Sequence, residues 1–157
     1  MKIETSLAIA NKKNLNGRIY STEVLNKMVN QFNNMNKPLL GELGMPSESV
    51  TLLSNASHKI DSIKIKKYRL PRRTKKLLKK QGLYINWKNN NSPVLFGTIE
   101  TLDTPNGELV KKMFENKSAV IRSRGTGSIN SKGYIQDYSL FSFDIISKDD
   151  DAFKDVI

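Results

Sequence analysis

The chain contains one histidine, His58, in Ser57-His58-Lys59-Ile60. Ser123 follows 65 positions later in Arg122-Ser123-Arg124-Gly125-Thr126-Gly127, and Asp144 lies beyond it in Ser142-Phe143-Asp144-Ile145-Ile146. Imidazole, hydroxyl and carboxylate are the parts of a nucleophilic serine site. A serine hydroxyl attacks only when a base removes its proton, and an imidazole of pKa near ~6.5 does this at neutral pH. A carboxylate on the second ring nitrogen fixes the tautomer and stabilises the imidazolium. With a single histidine in the sequence, such chemistry has one possible imidazole base. Gly125 and Gly127 let the backbone after Ser123 turn so that N–H groups point at one spot. The amides of Arg124 and Gly125 are therefore the candidate oxyanion donors. Arg122 or Arg124 would orient that loop or hold an acidic substrate.

Composition narrows the classes. No cysteine is present, which excludes disulfides, thiolate metal sites and a cysteine nucleophile. One histidine and no cysteine argue against zinc, and no loop shows regular carboxylate spacing, so no cofactor or metal is expected. No apolar run approaches membrane-spanning length, and Met1-Lys2-Ile3-Glu4-Thr5 lacks a signal-peptide pattern, so the expectation is a soluble intracellular protein without a membrane partner. The formal net charge is +11 and is unevenly spread: ten Lys or Arg and no acid lie between Lys64 and Lys80, while Asp149-Asp150-Asp151 and Asp155 make the end acidic. Such a cationic face attracts polyanions, either nucleic acid or an acidic protein.

The length fits a single domain over 1–157. Lys2–Ala10 reads as a first strand, and Asn14-Leu15-Asn16-Gly17 as a turn. Ser21 is placed to cap a helix whose face is Val24, Leu25, Met28, Val29 and Phe32, with Pro38 beyond its end. Pro38–Pro46 reads as a loop, and Val50–Leu53 as a short strand. In 56–65 the apolar parity changes, from Ala56, His58 and Ile60 to Ile63 and Ile65, which predicts a bulge near Asp61. Pro71–Gln81 reads as a short basic helix, Leu83–Trp87 as a strand, Asn89–Pro93 as a loop and Val94–Leu102 as a strand. Asp103–Gly107 reads as a turn before a helix over Glu108–Asn116. Ala119–Ser123 reads as a strand ended by Gly125 and Gly127, and Tyr134–Ile146 holds the last strands. The expected class is mainly β with flanking helices (α+β), a small barrel or sandwich.

Several segments together resemble the tailed-phage prohead proteases, serine endopeptidases that mature procapsids. They are Asn14-Leu15-Asn16-Gly17-Arg18-Ile19-Tyr20, Leu40-Gly41-Glu42-Leu43-Gly44-Met45-Pro46, Ser57-His58-Lys59-Ile60, Gly97–Gly107, Ser123-Arg124-Gly125-Thr126-Gly127 and Phe143-Asp144-Ile145-Ile146. The resemblance is collinear from about Ile3 to Ala152. It implies a fold similar to the herpesvirus protease assemblin, a β-barrel wrapped by helices. It implies His58 as base and Ser123 as nucleophile, with Asp144 as the third member and Glu42 as the alternative. It further implies scaffold and capsid proteins as substrates, self-cleavage, an oligomer in the prohead, and a location inside the prohead in the host cytoplasm. Residues 64–81 then read as a basic insert, and 149–157 as an acidic end preceding a removed tail.

A second reading is a binding module without catalysis. Its grip on DNA or acidic scaffold would come from the basic segment, with Lys75, Lys76, Lys79 and Lys80 as the docking residues. A third is a procapsid component of the same fold that has lost catalysis.

Overall fold

The computed structural model describes residues 1–13, 17–44, 46–69, 72–73, 76 and 91–148. Among the described residues the strands and longer helices follow in the order β1 (Lys2–Ile9), α1 (Thr22–Asn33), β2 (Leu39–Glu42), β3 (Ala56–Arg69), β4 (Asn91–Thr101), α2 (Pro105–Glu115), β5 (Ala119–Ile129) and β6 (Ile135–Ser147), with a 3₁₀ turn at Leu53–Asn55. The strands form an antiparallel sheet of order β1-β4-β3-β2 and a two-stranded ribbon of β5 and β6. This is the expected α+β class, with one correction: among the described residues the ladders do not close into a barrel. The ribbon meets the larger sheet through the parallel bridge Leu43–Ile145 and the bond from Gly44 N to Ile145 O at 2.9 Å. One core fills the space between them, including Leu25, Phe32, Ile60, Leu95, Ile99, Phe143 and Ile145, each 1% exposed or less.

Both helices begin where a side chain satisfies an otherwise unpaired N–H. Ser21 Oγ accepts from Val24 N at 3.2 Å, and Val24, Leu25, Met28 and Phe32 then bury one stripe, as the spacing predicts. The second helix starts earlier than predicted. Thr104 Oγ1 accepts from Gly107 N at 3.0 Å and Pro105 takes a first-turn position, so Pro-Asn-Gly opens a helix where a turn was expected. Gly107 belongs there sterically, because a Cβ would sit 1.8 Å from Leu102 O.

The predicted bulge is present: Ile60 pairs with Ile99 and Ser62 with Thr98, leaving Asp61 as the extra residue. Elsewhere strands run further than the turn residues imply. Asn91–Pro93 belongs to β4, and Leu39–Glu42 is strand rather than loop, paired with β3. Segment 50–53 is not a strand; its polar groups are used by Arg124, described below. Lys64–Arg69, the start of the basic insert, is the end of β3, where Lys64 and Lys66 both engage Glu4. Of the predicted basic helix, Arg72, Arg73 and Lys76 are helical and exposed; Lys75, Lys79, Lys80, Leu83–Trp87 and the acidic end lie outside the described residues.

Candidate functional site

His58 sits on β3 between Gly41 of β2 and Thr101 of β4. Beside it the register slips: Gly41 pairs with His58 but Glu42 pairs with Ala56, so Ser57 is the bulged residue. The bulge re-aims Ser57, and its Oγ lies 2.8 Å from His58 Nδ1. His58 Nε2 lies 3.0 Å from the carbonyl oxygen of Phe143 on β6. A carbonyl can only accept, so Nε2 carries the proton, and the neutral ring accepts the Ser57 hydroxyl proton at Nδ1. Both Ser57 and His58 are fully buried. Burial pushes the imidazole pKa down to about 4, against a smaller upward pull from the Phe143 carbonyl. The ring is thus neutral at pH 7.

This close approach requires a glycine at 41. A Cβ there would stand 2.1 Å from Phe143 O and 2.3 Å from His58 Nε2. The glycine is dictated by the passage of imidazole and carbonyl, not by positive φ.

Ser123 lies on β5 directly opposite Phe143. Its Oγ accepts from the Tyr138 hydroxyl at 3.0 Å, which leaves its own proton available to another acceptor. Burial pushes the Tyr138 phenol pKa upward, so it stays a donor. The structure gathers His58 and Ser123 around Phe143 without a hydrogen bond between them. Gly44 N reaches Ile145 O from the edge of β6 that faces β2. Alternate residues of a strand send their carbonyls to one edge, so Phe143 O leaves by that same edge. His58 therefore meets β6 on the edge away from Ser123, and the width of one strand separates imidazole from hydroxyl.

The acids take other partners. Asp144 pairs with Arg122 on the ladder while its neighbour Phe143 pairs with Ser123, so the Asp144 and Ser123 side chains project from opposite faces of the ribbon. One Asp144 oxygen accepts from Glu42 N at 3.0 Å, and the other lies 3.0 Å from Arg124 Nε. Glu42 Oε2 lies 3.0 Å from Arg124 Nη1. The guanidinium also reaches Glu48 O at 3.0 Å and Thr51 Oγ1 at 2.8 Å. Arg124 is 3% exposed, Glu42 2% and Asp144 0%. Burial raises the Asp144 pKa to about 6, opposed by the Glu42 amide and by Arg124. Arg124 is thus a buried brace between β2, β5, β6 and segment 48–51, and among the described residues no carboxylate is hydrogen-bonded to the imidazole.

The predicted glycine turn is also corrected. Gly125 and Gly127 lie inside β5, which continues to Ile129. Two register shifts, Arg124/Gly125 and Thr126/Ser128, place extra residues on β6, with Asp137 at φ 51° near the second. The glycines make room for Tyr138: a Cβ at Gly125 would stand 2.2 Å from Ser139 O and 2.6 Å from the Tyr138 ring. Sequence reasoning missed Gly41, Ser57, Tyr138 and Phe143. Ser57 was visible as the neighbour of the only histidine; the other three show only through the pairing of distant strands. Among the described residues no group of three His, Asp or Glu side chains gathers as a metal site would, and no helix is long and apolar enough to cross a membrane.

The two-sheet α+β framework, with His58 on its third strand and Ser123 on its fifth, is similar in fold to a solved phage protease. It superposes on the bacteriophage T4 capsid assembly protease with a TM-score of 0.65, covering 92% of this chain and 80% of that one, at 21% sequence identity. At that identity the likeness is one of fold. No protein-family model and no curated protein matches the chain.

Proposed function

We propose that the chain is a serine endopeptidase of procapsid maturation, with Ser123 as nucleophile and His58 as general base, and that the described conformation is its resting form. The observation that carries this reading is convergence. The one histidine and Ser123, 65 residues apart, both abut Phe143, within a fold shared with a capsid assembly protease.

In this scheme the imidazole leaves the Phe143 carbonyl, gives its Nε2 proton to water while Nδ1 takes one from water, and passes to the Ser123 side. Nε2 then takes the Ser123 proton as Oγ bonds to the scissile carbonyl carbon. The backbone amides of Arg124 and Gly125, where the β5–β6 ladder slips, meet the developing oxyanion. The imidazolium returns its proton to the leaving amine as the C–N bond breaks. Water, deprotonated by the same Nε2, hydrolyses the acyl-enzyme and restores the hydroxyl. Asp144 and Glu42 act at a distance, by holding Arg124 and with it the seam between β2 and β6.

The substrates proposed are scaffold and capsid proteins, with cleavage of the chain's own end and oligomerisation in the prohead interior as parts of the same reading. The basic segment supplies a surface for acidic scaffold or DNA. Incubation with scaffold and capsid proteins should yield new amino termini, and Ser123→Ala should abolish them. Unchanged cleavage by Ser123→Ala would refute the assignment.

A further inference from the structure

We infer that Ser57, and not a carboxylate, is the positioning residue of the His58 imidazole, setting which ring nitrogen carries the proton. The inference rests on the reading of His58 as the base. Three observations support it. Ser57 Oγ is the group at Nδ1, 2.8 Å away, and is fully buried there by a bulge that leaves Ser57 without a cross-strand partner on β2. The carboxylates of Asp144 and Glu42, the natural alternatives, are engaged by Arg124. The other ring nitrogen faces an obligate acceptor, the Phe143 carbonyl.

A hydroxyl differs from a carboxylate in that it both donates and accepts. At rest, Ser57 donates to Nδ1 and Nε2–H donates to Phe143, so the lone pair a base needs is not available at Nε2. When the ring leaves the carbonyl, Nε2 gives its proton to water and Nδ1 takes one from water, with no net change in protonation. Ser57 then rotates its hydroxyl and accepts from Nδ1–H, which leaves the Nε2 lone pair free for Ser123. A carboxylate at the same place would hold the proton on Nδ1 permanently. Ser57 thus allows one imidazole to be locked in one tautomer and active in the other.

Ring-nitrogen NMR on the full chain with isotope-labelled histidine tests this directly, since the only imidazole gives the only signals. The wild type should show the proton on Nε2 and Nδ1 as a hydrogen-bonded acceptor. Ser57→Ala should shift the Nδ1 signal towards that of an unbonded nitrogen, and Ser57→Thr, which keeps the hydroxyl, should restore it. Labelling of Ser123 by a serine-reactive phosphonate should slow by ~10²-fold in Ser57→Ala and recover in Ser57→Thr. A wild-type proton on Nδ1, or an Nδ1 signal unmoved by Ser57→Ala, overturns the inference. Should Ser57→Ala fail to fold, the wild-type tautomer still decides. If the tautomer behaves as expected but Ser123 never labels, the positioning role stands and the peptidase reading fails.

Discussion

His58 Nε2 lies 3.0 Å from the carbonyl oxygen of Phe143, the residue that stands directly across from Ser123 on the β5–β6 ladder. One residue therefore separates the imidazole from the hydroxyl. The arrangement keeps the imidazole neutral and buried, with its Nε2 lone pair replaced by a proton donated to the carbonyl.

Gly41→Ala should disturb this arrangement more than any exposed change on β2. Its methyl would occupy the space between Phe143 O and His58 Nε2. The expected cost is about 1–3 kcal/mol, as for overpacking a close-packed site. Chemical denaturation measures the destabilisation, and a displaced histidine ring signal shows where it arises. A fully stable Gly41→Ala with an unmoved imidazole would contradict the geometry.

Arg124→Met should be severe. It would remove the guanidinium that engages both buried carboxylates, and breaking a buried ion pair typically costs ~3–5 kcal/mol. Adding Glu42→Gln and Asp144→Asn should recover part of the stability, because the stranded charges are removed. Denaturation midpoints of the single and triple variants check this. A destabilisation below about 1 kcal/mol for the single variant, the size expected of an exposed ion pair, would show that Arg124 is not the brace of the seam.

His58 and Asp144 should make stability respond to pH in opposite senses. The His58 pKa falls from 6.5 to about 4 on folding, so its contribution is lost as pH drops from 6.5 towards 4. The Asp144 pKa rises from 3.8 to about 6, so its contribution is greatest below 3.8 and is lost as pH rises towards 6. Each amounts to about 3 kcal/mol at full extent. The stability of wild type relative to His58→Gln should fall on acidification through this window, while that relative to Asp144→Asn should rise. Urea midpoints between pH 4 and pH 7 give both differences, and a common sign would contradict the burial of one of the two groups.

Charge reversal of Lys75, Lys76, Lys79 and Lys80 separates the peptidase from a purely polyanion-binding module. Retention on DNA or acidic scaffold should drop sharply, with a log–log salt slope reduced by about 0.9 for each phosphate that is no longer neutralised. Reaction of Ser123 with a phosphonate should be unchanged. Disappearance of both together would favour the basic segment as part of the site.

Elements built on local signals were legible in the sequence. Ser21 with its apolar stripe gave α1, and the parity change gave the bulge at Asp61. Gly41, Gly125 and Gly127 were misread as loop or turn residues for one reason. Glycine at a turn and glycine under a neighbouring ring look alike in a sequence, and only the strand pairing distinguishes them. His58 and Ser123 were visible by residue type. The pairing of Asp144 and Glu42 with Arg124 was not, because it joins residues 82 positions apart or sits across a ladder whose register the sequence does not display. Ser57 was in view beside His58, but neighbours on a regular strand face opposite ways, and the bulge that reverses this depends on β2.

The most direct test is mass-spectrometric mapping of a serine-reactive phosphonate on the full chain, alone and mixed with scaffold and capsid proteins. One adduct on Ser123, absent from Ser123→Ala and strongly reduced in His58→Ala, is the expected result. No adduct under either condition, or an adduct that persists in Ser123→Ala, would contradict Ser123 as the nucleophile.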